Sequence, residues 1–135
     1  MTDFRRVTDD FSVSPQISPQ DVAAAVAEGV TLVINNRPDG EQPGQPTSAA
    51  IEAAARAAGL DYAWIPFSGP PRREHAEAVR EAAAAAKGKV LAFCRSGTRS
   101  ISAWSLGQAL AGSRDRTELV RLGREAGYDL SGLLG

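Results

Sequence analysis

The chain has one cysteine and one histidine among its 135 residues. A lone thiol cannot close an internal disulfide, and one imidazole gives no Cys/His set of the zinc-binding kind, so no metal site is expected. No charge sign dominates: 15 Lys and Arg stand against 16 Asp and Glu. Nothing global therefore favours nucleic acid or an acidic membrane surface as partner, and any electrostatic recognition must be local. Aromatics make up only 6% of the residues while alanine is abundant, which favours helices packed closely on something thin, such as a sheet. Long apolar runs are missing too. The opening MTDFRRVTDDFSVS holds no stretch fit for a signal peptide and nothing later approaches a membrane span, so the expected setting is the cytoplasm. The length suits one domain, residues 1–135, with a core that needs no staples. No cofactor is implied.

What is present is an alternation. A short first strand is expected around Phe11 to Val13, and ISPQDVAAAVAEG reads as a helix with Ser18 as N-cap, Pro19 at the first helical position and Gly29 at its end. VTLVI, residues 30–34, is a continuous apolar and β-branched run that suits a strand buried on both faces. NNRPDGEQPGQP is a loop, after which Thr47 opens a helix through Ala58 that Gly59 closes. LDYAWIPF, residues 60–67, reads as a strand that Pro66 ends or places near an edge. SGPPRRE is a loop, EHAEAVREAAAAAKG a helix ending at Gly88, and KVLAF, residues 89–93, another buried strand. Thr98 to Ala111 form a helix and RTELVRLGREAG one more.

This order predicts an α/β fold, with a central mainly parallel sheet, helices on both faces and right-handed crossovers. In such sheets ligands collect outside the carboxyl ends of the strands. Three loops are expected at that end: Asn35 to Pro46, Ser68 to Arg73 and Cys94 to Arg99.

The cysteine thus falls where the fold puts a site, in FCRSGTRS. A strand, a thiol, a tight turn and a helix aim successive backbone N–H groups inward as an anion nest at the positive end of the helix. Thiols at helix N-termini or beside arginine are the ones that ionise near neutrality, so Cys94 is the candidate nucleophile. Arg99 offers a bidentate fork to an oxyanion. Arg95, Ser96, Gly97, Thr98 and Ser100 are candidate substrate-binding residues, as is Arg37 from the loop after the second strand, and Gly97 also supplies the positive φ the turn requires. The plain alternative is a small buried hydrophobe, as most lone cysteines after an apolar strand are; two arginines and four small residues make a poor core segment.

These residues resemble two families. Cys, four residues and Arg, followed by Ser or Ala, is similar to the active loop of rhodanese-type sulfurtransferases, whereas the tyrosine and dual-specificity phosphatases have five residues between Cys and Arg. Four lie between Cys94 and Arg99. Over nearly the whole chain, NNRPDGE, QPTS, GLDY, IPFSG and CRSGTRS in that order resemble the bacterial beta-lactamase-hydrolase-like, phosphatase-like domains, some of which are also called sulfur transferases. That resemblance implies a tyrosine/dual-specificity-phosphatase-like fold and, as a partner, a persulfide dioxygenase domain.

A phosphatase needs an acid to protonate the leaving oxygen. No Asp lies between Tyr62 and Cys94, and Glu74, Glu77 and Glu81 fall in a helical run; Asp39 and Glu41 are the remaining candidates, although turn chemistry alone explains an Asp before Gly in RPDG. A sulfurtransferase needs no such acid, because the thiolate carries sulfane sulfur as a persulfide to a thiol, sulfite or cyanide. Sulfur transfer is therefore the first expectation and dephosphorylation through a phosphocysteine the second. In both the substrate is a small sulfur or phosphate anion. A third class, an anion-binding module without turnover, is opposed by the presence of Cys94. Arg37 is expected to add positive potential at the mouth or to pair with a neighbouring carboxylate, and Arg72 and Arg73 to form an anion-binding rim or a solvated helix start. Asn35 and Asn36 are expected to satisfy backbone groups at a strand end, His75 to be exposed, and Trp64 and Trp104 to pack.

Overall fold

The computed structural model describes residues 2–134. Among them, strands β1 (Arg5–Arg6), β2 (Phe11–Ser14), β3 (Val30–Asn35), β4 (Asp61–Trp64) and β5 (Lys89–Phe93) form one sheet in the order β1-β2-β5-β3-β4. β2, β5, β3 and β4 are parallel and only β1 pairs antiparallel. The helices are α1 (Val22–Ala27), α2 (Ser48–Ala57), α3 (Arg73–Ala85), α4 (Thr98–Ala111) and α5 (Arg116–Glu125). This is an α/β fold of the predicted kind.

The period of two along β5 builds the core on both faces. Val90 and Ala92 point to one side, where Val79 of α3, Ile101 and Trp104 of α4 and Leu119 of α5 cover them. Leu91 and Phe93 point to the other, against Val22 and Ala25 of α1 and Ile51 and Ala55 of α2. Each large apolar side chain buried this way contributes roughly 1.5–3 kcal/mol relative to exposure. Scarce aromatics and abundant alanine show their effect between α3 and α4, where a Cβ on Gly107 would stand 2.8 Å from the Ala76 carbonyl oxygen. The helices meet backbone to backbone.

The structure differs from the sequence expectation in detail. Residues Pro19–Asp21 form a 3-10 turn before the six-residue α1, with Asp21 Oδ2 accepting the Ser18 N–H at 2.8 Å. Of residues 60–67 only Asp61–Trp64 is ladder strand; Ile65 and Phe67 bond instead to the carbonyls of Asn35 and Asn36, which carries the chain across the carboxyl ends. Trp64 is not packed in the core: it is 45% exposed, with its indole N–H donating to the Arg37 carbonyl at 3.0 Å. Trp104 is buried and stacks on Phe11.

Candidate active site

Cys94 is the first residue beyond β5, and Gly97, at φ +94°, turns the chain into α4. Positive φ is what only glycine adopts without strain, and it lets the Gly97 N–H point back to donate to Cys94 Sγ at 3.1 Å. The sulfur thereby sits at the N-terminal end of a 14-residue helix, where backbone dipoles favour an anion. The loop is fastened by β2, whose Ser14 carbonyl accepts the Cys94 N–H, and by Gln16, two residues beyond that strand, which donates its N–H to the Arg95 carbonyl. Ser96 and Thr98 are exposed and tied to each other, Oγ to Oγ1 at 3.0 Å, so their hydroxyls shape the turn. Arg95 is exposed. Ser100 is buried, and its hydroxyl has no partner among the described residues. Cys94 itself is fully buried, and its sulfur lies near enough to the Arg99 guanidinium to help hold that group in its charged form.

A charge relay links the loops. Arg37, 2% exposed, donates from Nε to Glu41 Oε1 at 2.9 Å and from its Nη atoms to the side-chain carbonyls of Gln16 and Gln42. Glu41 accepts in turn from Arg99, Nη1 to Oε2 at 2.9 Å and Nη2 to Oε1 at 2.8 Å, and Arg99 Nη1 also donates to the Phe67 carbonyl. These bonds use three of the five guanidinium N–H groups. Nε–H and the second Nη2–H, one edge of the planar fork, are left for an oxyanion. The expected convergence of the loops is present: Glu41 joins 35–46 to 94–99, Arg99 holds the carbonyl of Phe67 just before the loop at 68–73, and Gly69, Pro70 and Pro71 of that loop line a cavity with Thr98 and Arg99. Arg37 stands behind this convergence as the partner of a carboxylate.

Hydrogen bonds from Arg99, then from Arg37, hold the Glu41 carboxyl at about 2 against the opposing effect of burial. Glu41 is thus an ionised anchor at neutral pH and has no proton to give a leaving group. Its folded value lies below the ordinary 4.5, so the stabilisation it brings is present above 4.5 and is lost as the pH falls toward 2. Glu41→Gln is expected to lower stability by on the order of 2 kcal/mol at pH 7, with the two proteins converging toward pH 2. Urea unfolding at both pH values checks this; an equal gap at both would sink the assignment.

Asp39 lies in the same loop, where its Oδ1 accepts the Ser48 N–H at 2.8 Å at the start of α2, a capping contact. Asn35 and Asn36 serve the strand ends as expected, bonding Tyr62, the Arg37 N–H and the Ile65 carbonyl. His75 is not simply exposed: Nδ1 accepts the Arg72 N–H at 3.0 Å, and the ring stacks on Phe67 at 4.6 Å, bracing the residue whose carbonyl Arg99 holds. Arg72 and Arg73 are exposed at the start of α3. One residue that sequence reasoning missed touches the loop: Tyr128 donates its hydroxyl to the Ser96 carbonyl at 2.8 Å. No spacing rule connects it to a motif 32 positions upstream. Among the described residues no cluster of His, Cys, Asp and Glu could hold a metal ion, and no helix is long and apolar enough to cross a membrane.

Residues 3–111 match the family model for the beta-lactamase hydrolase-like protein, phosphatase-like domain. The chain belongs to this family. A relative in the family, the beta-lactamase hydrolase-like protein of Agrobacterium fabrum strain C58, is 39% identical over 93% of this chain but only 29% of its own length. The chain thus spans under a third of the curated relatives it matches. A candidate phosphatase of Neisseria meningitidis Z2491, known as a crystal structure, superposes with a TM-score of 0.86 at 28% identity over 98% of this chain and 94% of that one. Tk-PTP in its active form superposes at 0.69 and 19% identity, over 96% and 88% of the two chains, a likeness of fold. The phosphatase-like domain family accordingly has here a cysteine-based loop on a fold similar to tyrosine and dual-specificity phosphatases.

Proposed function

We propose that residues 1–135 act as one phosphatase-like domain that hydrolyses a small phosphorylated anion through Cys94. The observation that carries this reading is the Gly97 N–H on Cys94 Sγ at the head of α4, with an unused edge of Arg99 beside it, on a phosphatase-like fold. The family and the fold favour dephosphorylation over sulfur transfer. In the first step the sulfur attacks phosphorus and the P–O bond to the leaving group breaks, with the electron pair leaving on oxygen. In the second, water attacks phosphorus, the S–P bond breaks, and inorganic phosphate departs as the thiolate returns. The free Arg99 edge and the loop amides hold the phosphoryl oxygens as charge shifts onto them.

With Glu41 kept as a carboxylate, the leaving oxygen takes its proton from water. The substrates this suits carry good leaving groups, such as aryl esters. The rate should fall steeply along a series of aryl phosphates as the leaving phenol becomes more basic. Intact mass after mixing with the most reactive ester should show one phosphoryl group on Cys94.

Sulfur transfer is the second reading, favoured by one observation, the four residues rather than five between Cys94 and Arg99. There the S–S bond of thiosulfate would break, sulfite would leave, and Cys94 would carry the sulfane sulfur toward an acceptor, with a persulfide dioxygenase as the matching partner. A parallel sample given thiosulfate tests it. One added sulfur that cyanide removes, without aryl phosphate turnover, would overturn the phosphatase reading.

A further inference from the structure

We propose that Tyr128 is a positioning residue for the thiolate: by holding the Ser96 carbonyl from behind, it aims the Gly97 N–H at Cys94 Sγ. Ser96 C=O and Gly97 N–H belong to one peptide group, which is planar and rigid. Its oxygen accepts the Tyr128 hydroxyl at 2.8 Å and its N–H donates to the sulfur at 3.1 Å on the opposite side. Pinning the one fixes the direction of the other. Donation into the carbonyl also polarises the amide, which makes the N–H a stronger donor.

Tyr128 is itself held in place. The Gly127 N–H bonds the Arg124 carbonyl and the Tyr128 N–H bonds the Gly123 carbonyl at 2.8 Å, with Gly127 at φ +96°, a Schellman closure of α5. The ring belongs to the main core cluster, with the Arg5 guanidinium 5.2 Å from its centroid on the outer face. Burial holds the phenol above its ordinary value, so it remains a donor through neutral pH. Gly97 is fitted to it: a Cβ there would fall on the Tyr128 hydroxyl and lie 3.0 Å from Cζ. Tyr128 lies outside the 3–111 segment matched by the family model, so this contact comes from a part of the chain that model does not cover.

The inference rests on Cys94 as the reactive group but not on which anion it attacks, so the test is read without substrate. The chain has one cysteine, and its thiolate absorbance can be followed through a pH titration against a Cys94→Ser blank. Tyr128→Phe keeps the ring, the helix closure and the Arg5 contact and removes only the hydroxyl. The charged groups around the thiol and the phenol stay as they are: Arg99 beside the sulfur, Glu41 on Arg99, and Arg5 with Asp3 over the ring. Thiolate should then appear at a pH higher by about 0.5–1 unit, at a temperature below the melting point of the variant. Gly97→Ala supplies the second measurement, since it should cost more thiolate with the Tyr128 hydroxyl present than in the Tyr128→Phe background. An unchanged titration in Tyr128→Phe, or an equal cost of Gly97→Ala in both backgrounds, would overturn the proposal. Turnover failing while the titration behaves as expected would instead overturn the phosphatase reading alone.

Discussion

Cys94→Ser is expected to lower aryl phosphate turnover about a thousandfold or more. The expectation follows from the chemistry at a fixed place. A serine hydroxyl fits the space of the thiol and can take the Gly97 N–H, so loop and fold are preserved. A hydroxyl, however, is a far weaker nucleophile than a thiol and ionises far less readily, and no described residue is bonded to position 94 as a base that would activate it. Binding should therefore survive the loss of turnover: inorganic phosphate, titrated calorimetrically, should bind the variant within a few fold of the parent. Full turnover by the serine variant would remove Cys94 from the mechanism. Loss of phosphate binding together with turnover would mean that the substitution had disturbed the nest as well as the nucleophile.

Arg99→Ala should cost about 100- to 1000-fold in kcat/KM, the range seen when a preorganised donor to a developing anion is removed. Two effects add here. The edge proposed to hold two phosphoryl oxygens is lost, and Glu41 loses the partner that does most to keep its carboxyl low, so that the carboxylate, paired with Arg37 alone, repels a phosphate in the nest. Arg99→Lys should recover little, because an ammonium cannot span Glu41, the Phe67 carbonyl and a phosphate together. Adding Glu41→Gln to Arg99→Ala should restore part of the loss by removing that repulsion. If the double variant is no better than the single one, Glu41 does not face the substrate.

The sequence announces the parts of this molecule whose signals are local. KVLAF and VTLVI read as buried strands because they lie between two helical layers, and FCRSGTRS reads as an anion loop because strand, glycine and helix are contiguous. β1 has no such signal: a two-residue strand shows no alternation, and only its pairing with β2 makes it a strand. Trp64 looked like a packing residue because indoles usually are, yet its N–H is spent on the Arg37 carbonyl and its face is left in solvent. Arg37 and Arg99 were both visible as cations. That one carboxylate, Glu41, would join them depends on how the loop 35–46 folds back, which no periodicity encodes. Tyr128 was the least legible, since its role appears only when α5 ends and the chain returns beneath the loop.

The strand order carries a consequence for how the molecule breathes. β5 lies at the centre of the sheet, with parallel neighbours on both sides, while β1 at the margin is held by a single partner. Opening free energies are lowest at margins and approach that of global unfolding at the centre. The outer edge can therefore fray and re-form many times while β5, and with it the strand end that carries Cys94, stays paired on both sides.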